Sequence, residues 1–304
     1  MKLSARKVSN YDLFSSYAWY TPGVTGMLGL FLWFLAGGAL SGAVTYLFRL
    51  FVPEPLWNSY GMLIVYPLQF IPAMIYASYR SRMNRVFETG YKLESGHVKP
   101  YSWPLISAIT VMTAAGCMIT ADLPNYLNYK LTMLIPGMKT LYGLFQASMG
   151  LITGAPLWVS LIATAVFAPF FEEWLCRGII LRGLLTKMKP TWAIVISAAF
   201  FALIHMNPWQ GINAFIIGCV MGYLYYKTGS LLLTMLMHFV NNATGVILSQ
   251  TESLAQYDFF VDMLGVSAYT FVWISGLAVL SLGLMLIGRI PTENKWGNVD
   301  SITL

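Results

Sequence analysis

Residues 157–181 read LWVSLIATAVFAPFFEEWLCRGIIL. From Leu157 to Phe171 no side chain is charged, and beyond Glu172, Glu173 and Arg177 the apolar run resumes to Leu181. At about 1.5 Å per residue, a helical run of this length crosses a hydrocarbon core about 30 Å thick. The rest of the chain has the same character. Of its 304 residues 57% are hydrophobic and only 10% are charged, and the mean hydropathy is +0.64. A soluble domain carries about 25% charged residues. An aqueous surface needs more charge than this chain has, so a soluble globular protein is excluded, and the apolar content excludes disorder. The sequence predicts an all-α polytopic membrane protein, a single transmembrane domain over 1–304.

Working outward, eight spans are expected near 24–51, 58–79, 103–121, 157–181, 191–207, 211–227, 230–250 and 268–288. The stretch 131–151 is fairly apolar but holds Pro136, Gly137 and Lys139. It reads as a re-entrant or interfacial helix, with a ninth span as the alternative. Residues 1–23 mix Lys2, Arg6 and Lys7 with Tyr11, Phe14, Tyr17, Trp19 and Tyr20, the pattern of an interfacial anchor. The first apolar run is too long for a signal-peptide core, and no cleaved signal is expected. Cys117, Cys176 and Cys219 are scattered and lack zinc-site spacing, which makes them small apolar side chains. Three GxxxG patterns, Gly38/Gly42, Gly150/Gly154 and Gly218/Gly222, permit close helix approach, within the bundle or between two copies.

The net charge of +6 is a topology signal. With the N-terminus in the cytoplasm and eight spans, the inner segments hold Lys2, Arg6, Lys7, Arg80, Arg82, Arg85, Lys92, Lys99, Arg177, Arg182, Lys187, Lys189, Lys227, Arg289 and Lys295. These are 15 of the 18 basic residues. Both termini then lie inside, as the positive-inside rule requires. The cations would meet the anionic lipids of the bilayer, and no nucleic-acid partner is implied. The compact chain reads as a protein of a bacterial inner membrane.

Polar groups within apolar spans are costly, so they pair or work. Glu173 and Arg177 stand at i and i+4 in the favourable order for an ion pair. Glu172 points about 100° away around an α-helix and has no partner at local spacing. One carboxylate thus reads as structural and the other as free for acid/base work; the competing reading is a polar cluster that ends a span. His205 closes a second apolar run just before Asn207-Pro208 and could instead be a snorkelling interfacial residue. His238 and Asn242 share a helix face and offer hydrogen bonds suited to a developing oxyanion; the competing reading is interhelical glue. Measured from the nearest cytoplasmic lysine, Glu172, His205 and His238 lie about 22, 24 and 16 Å deep. Compatible depths on three spans point to one shared site, and such a site needs a polar cavity.

In order along the chain, Glu172-Glu173-xxx-Arg177, Phe201-xxx-His205 and His238-xxx-Asn242 resemble the three motifs of the CPBP family of intramembrane proteases. That family is named for CAAX prenyl endopeptidases and bacteriocin-processing enzymes, and is also called the ABI family. The resemblance covers about residues 155–250 and implies a helix bundle around a cytosol-facing cavity. It further implies a metal-independent, cofactor-free endopeptidase acting on a membrane-anchored or hydrophobic peptide. Glu172 would activate water with help from His205. His238 and Asn242 would hold the oxyanion, and Glu173 with Arg177 would support the site. Competing readings are a zinc peptidase built on Glu172, His205 and His238, a non-proteolytic immunity, sorting or peptide-binding factor, and a transporter. The oligomeric state is open.

The charge bias predicts that both termini and the 80–102 loop face the cytoplasm. A cysteine introduced at position 90 should resist impermeant thiol reagents applied from outside; labelling only from outside would overturn the eight-span topology.

Overall fold

The computed structural model describes residues 19–86 and 103–290. Most of the expected anchor segment 1–23, and the part of the 80–102 loop beyond Val86, lie outside the described residues. Those residues form helices and no strand. They are α1 (Val24–Arg49), α2 (Glu54–Tyr60), α3 (Met62–Val86), α4 (Trp103–Thr132), α5 (Met138–Thr153), α6 (Leu157–Leu184), α7 (Pro190–Ile204), α8 (Pro208–Thr228), α9 (Leu231–Gln250), α10 (Phe260–Leu264) and α11 (Val266–Gly288).

Each of the eight expected segments contains a helix, and these helices differ in length. Among the described residues six helices, α1, α3, α4, α6, α9 and α11, are long and apolar enough to cross a membrane. Helix α7 has only 15 residues, about 22 Å of rise, and α8 is not among the six. These two form a hairpin whose turn is written in the sequence. Asn207 caps α8 by accepting a hydrogen bond from the Gln210 amide at 2.8 Å, and Pro208 takes the first helical position. At the other end Gly229 adopts a left-handed conformation (φ 63°), and Ser230 at once caps α9 through the Leu233 amide at 3.3 Å.

The third span also ends later than expected. The expected span closes near 121, yet α4 continues to Thr132, because polar residues end an apolar run without ending a helix. The ambiguous stretch 131–151 resolves into a turn at Gly137 (φ 84°) followed by the 16-residue α5, which buries none of its residues. It is too short to be a ninth span.

Helix α6 is the most buried of the six, and α1, α3 and α11 are the least. The main pairings are α1 with α3, α4 with α11, and α7 with α8; α8 and α9 both lean on α4, and α3, α7 and α9 all touch α6. Small residues set the closest approaches, though not all at the expected places. Gly218 and Gly222 do pack inside the bundle, where an added Cβ would meet Ala198 Cβ at 3.1 Å and Ile194 Cγ2 at 3.0 Å on α7. At Gly38 and Gly42 an added Cβ meets nothing within 4 Å. The α1–α3 contact rests instead on Gly37, where a Cβ would overlap the Gln69 carbonyl oxygen, a backbone atom that cannot turn aside.

Gly37→Ala should therefore destabilise the protein by about 1–3 kcal/mol through overpacking. Gly38→Ala should stay within about 0.5 kcal/mol of the parent. Thermal unfolding of the two variants in one detergent checks the contrast.

Candidate active site

Helix α6 is not a regular α-helix. Leu161–Phe167 and Trp174–Leu181 are π-helical, and Ala168–Glu173 between them is α-helical. π turns are rare and concentrate at functional sites. Here one has a traceable consequence. The Ala168 amide bonds to the Ala163 carbonyl, five residues back. The next amide in that register would belong to Pro169, which has none. The Thr164 carbonyl is thus left for another donor, and Asn242 Nδ2 on α9 supplies it at 2.7 Å. A carbonyl can only accept, so this bond fixes which way the amide faces. Asn242 Oδ1 accepts in turn from Asn241 Nδ2 at 2.9 Å.

One turn after Pro169 come the carboxylates. Glu173 and Arg177 form the expected ion pair, Nη1 to Oε1 at 2.6 Å, with both side chains fully buried. Arg177 has two further contacts. Its Nη2 donates to the Gly218 carbonyl on α8 at 2.9 Å, and its guanidinium carbon lies 4.5 Å from the centre of the Phe201 ring on α7. The close approach at Gly218 leaves that carbonyl within reach. An unpaired cation here would carry a desolvation cost of several kcal/mol, and the two hydrogen bonds and the ring offset it.

His238 on α9 joins the two carboxylates. Its Nδ1 lies 3.1 Å from Glu173 Oε1, and its Nε2 lies 3.9 Å from Glu172 Oε2. A carboxylate facing Nδ1 sets that nitrogen as the donor, so Nε2 is the atom turned to Glu172. Glu172 and Glu173, about 100° apart on their helix, thus meet one imidazole from its two nitrogens. Glu172 Oε2 is buried and has no hydrogen-bond partner among the described residues.

The expectation that Glu172 lacks a partner holds only on its own helix. Tyr66 on α3 donates its phenol hydrogen to Glu172 Oε1 across 106 residues of sequence. Local spacing could not show this, because the partner comes from a segment without any motif. The one hint was a tyrosine between Val65 and Pro67, inside an apolar span.

His205, at the end of α7, is less directly placed. Its Nδ1 donates to the Phe201 carbonyl at 2.8 Å, which leaves Nε2 as the atom free for other work. Its ring stands edge-on to Phe201 at 5.0 Å, and Phe201 stands edge-on to His238 at 5.5 Å. The fold thus brings Glu172, Glu173, Arg177 and His238 together directly and couples His205 to them through Phe201, while Asn242 is anchored on Thr164. Phe201, quoted above only as part of a motif, touches Arg177, His205 and His238. The residue after His205, Met206, is left-handed (φ 54°), an uncommon state for a residue with a side chain. Among the described residues no group of three or more His, Cys, Asp and Glu side chains is arranged to hold a metal ion. The zinc set of Glu172, His205 and His238 gains no support from this arrangement.

Residues 154–244 match the family model described as type II CAAX prenyl endopeptidase Rce1-like. The matched stretch contains all three motifs, in agreement with the resemblance read from them, and at the family level it supports an intramembrane CAAX-type protease. Neither the curated proteins nor the solved structures give a match to the chain.

Removing one member of a buried ion pair strands the other. Arg177→Ala should cost about 3–5 kcal/mol and lower the amount of folded protein in the membrane. Normal accumulation with loss of turnover alone would instead give Arg177 a role toward the substrate.

Proposed function

We propose that the protein is an intramembrane endopeptidase that hydrolyses a peptide bond of a membrane-anchored or hydrophobic peptide, using water activated by Glu172. The observation that carries this reading is the pairing of Glu172 Oε2 with His238 Nε2 across 3.9 Å, in a buried site where Glu173 orients the imidazole. That separation is too long for a hydrogen bond and leaves room between the two atoms for the reacting groups. Water placed there gives its proton to Glu172 as its oxygen attacks the scissile carbonyl. The carbonyl becomes a tetrahedral oxyanion, and Glu172 then returns the proton to the leaving amine nitrogen.

The oxyanion needs donors. With both nitrogens protonated, His238 keeps Nδ1–H on Glu173 and offers Nε2–H to the developing charge. Asn242 Nδ2 carries two hydrogens, and the one not engaged by Thr164 is the second donor. His205 assists through Nε2, positioning the water. The expected substrate class follows from where the site lies, in a bundle whose outer surfaces are apolar, and its partners are accordingly the bilayer and a peptide within it. The chemistry as written uses no metal.

Glu172→Gln preserves shape and hydrogen bonding but removes the base. It should accumulate normally and abolish cleavage of a membrane-anchored peptide by the purified protein. Asn242→Ala should lose about 2.7–4 kcal/mol of transition-state stabilisation, the range for one oxyanion donor, and should also unfold more easily, because Thr164 loses its donor. Full activity in Glu172→Gln would end the proposal. Loss of wild-type activity with a chelator, restored by zinc, would transfer the site to the metal reading. A wild-type protein that binds the peptide without cutting it would make this a non-proteolytic factor.

A further inference from the structure

Half of Glu172 is already occupied. A carboxylate general base has two equivalent oxygens and can rotate to exchange them, which blurs the direction in which it takes a proton. Here Oε1 accepts the Tyr66 phenol and Oε2 has no hydrogen-bond partner among the described residues. The phenol is itself held in place. Tyr66 lies against Phe70 with ring centres 5.7 Å apart, and Phe70 stacks on Phe171 at 5.4 Å, next to Glu172 in the chain. Phe70 also meets Phe34 of α1 at 5.3 Å, so the stack is braced from the far side. Helix α3 thus reaches α6 through three aromatic rings that end on the carboxyl group.

We infer that Tyr66 is a positioning residue for Glu172, fixing Oε1 so that Oε2 is the reacting oxygen. The inference rests on the reading of Glu172 as general base. It lies outside residues 154–244 and gives the preceding part of the chain a share in the chemistry. Its physical basis is that a hydrogen bond donated to a carboxylate favours the charged form over the neutral acid. The other groups facing Glu172 are His238 from α9 and, on its own helix, Glu173, Cys176 and Arg177. Arg177 is spent on Glu173, and the phenol is the group that hydrogen-bonds the Glu172 carboxylate directly.

The test is Tyr66→Phe, which keeps the aromatic stack and removes only the hydroxyl. Full-length protein in lipid nanodiscs is titrated by infrared spectroscopy, with the Glu172 carboxyl band identified by its loss in Glu172→Gln. Tyr66→Phe should raise the Glu172 midpoint by about one pH unit or more, the size expected for losing one charged hydrogen bond. The acid limb of kcat should move up by the same amount, with KM little changed. Phe70→Leu loosens the same stack but keeps the phenol, and should leave the midpoint in place. If Tyr66→Phe does not accumulate, 3-fluorotyrosine at position 66, a stronger donor, should shift the midpoint downward. An unchanged midpoint in Tyr66→Phe, or in the fluorinated protein, overturns the inference. Full cleavage by Glu172→Gln would instead sink the general-base reading, and the infrared titration would still decide the phenol bond.

Discussion

A guanidinium inside a lipid-facing helix bundle must find its partners in the protein, and Arg177 is held by three helices at once. It bonds Glu173 on α6 and the Gly218 carbonyl on α8, and it lies over Phe201 on α7. Glu173 passes the constraint to α9 by holding His238 through the same Oε1 that accepts Arg177. The relative positions of four helices are therefore tied to one buried charge. Moving any of them would strand a cation or a carboxylate, at a cost of several kcal/mol. The geometry of the candidate site inherits its rigidity from this ion pair, because Glu173 holds the other nitrogen of the imidazole that faces Glu172.

The irregular course of α6 serves the same arrangement. Pro169 removes an amide, the π register before it leaves the Thr164 carbonyl to Asn242, and α9 is pinned to α6 a second time, one turn away from His238. The two contacts from α9, His238 to Glu173 and Asn242 to Thr164, fix the rotation of that helix about its axis. Asn242 thereby has a structural task alongside its proposed one, since one hydrogen of its amide is committed to the fold. This double use is economical in a membrane, where each unsatisfied backbone carbonyl is costly.

The remaining wall of the site comes from α3. Its aromatic stack closes on Phe171 and its phenol closes on Glu172, so a helix far outside the family match completes the environment of that carboxylate. The two carboxylates differ in their surroundings even though they are neighbours in sequence. Glu173 is bound by an arginine and an imidazole and is wholly enclosed. Glu172 is held by the Tyr66 phenol and turns its other oxygen toward the imidazole. Adjacent acids driven to different tasks by their environments are a recurring basis for assigning structural and chemical roles.

The sequence by itself determined that the chain is a helical membrane protein, because so few charges cannot surface a soluble fold. It also determined the Glu173–Arg177 pair, since i and i+4 residues of a helix meet whatever surrounds them. The hairpin turn at Asn207-Pro208 and the reversal at Gly229-Ser230 were equally local. Tertiary structure alone decided the rest. That His238 bridges Glu172 and Glu173, that His205 reaches the group only through Phe201, and that Asn242 bonds the Thr164 carbonyl all depend on how separate helices rotate against one another. Hydrophobic patterning constrains that rotation weakly when lipid and protein interior are alike in polarity. Within the bundle the close approach of α1 falls to Gly37 rather than to Gly38 and Gly42, because a small-residue motif shows where helices can approach but not which face is turned inward. Tyr66 was least legible of all. Its hydrogen bond spans 106 residues, and only the folded bundle sets the phenol beside the carboxylate it serves.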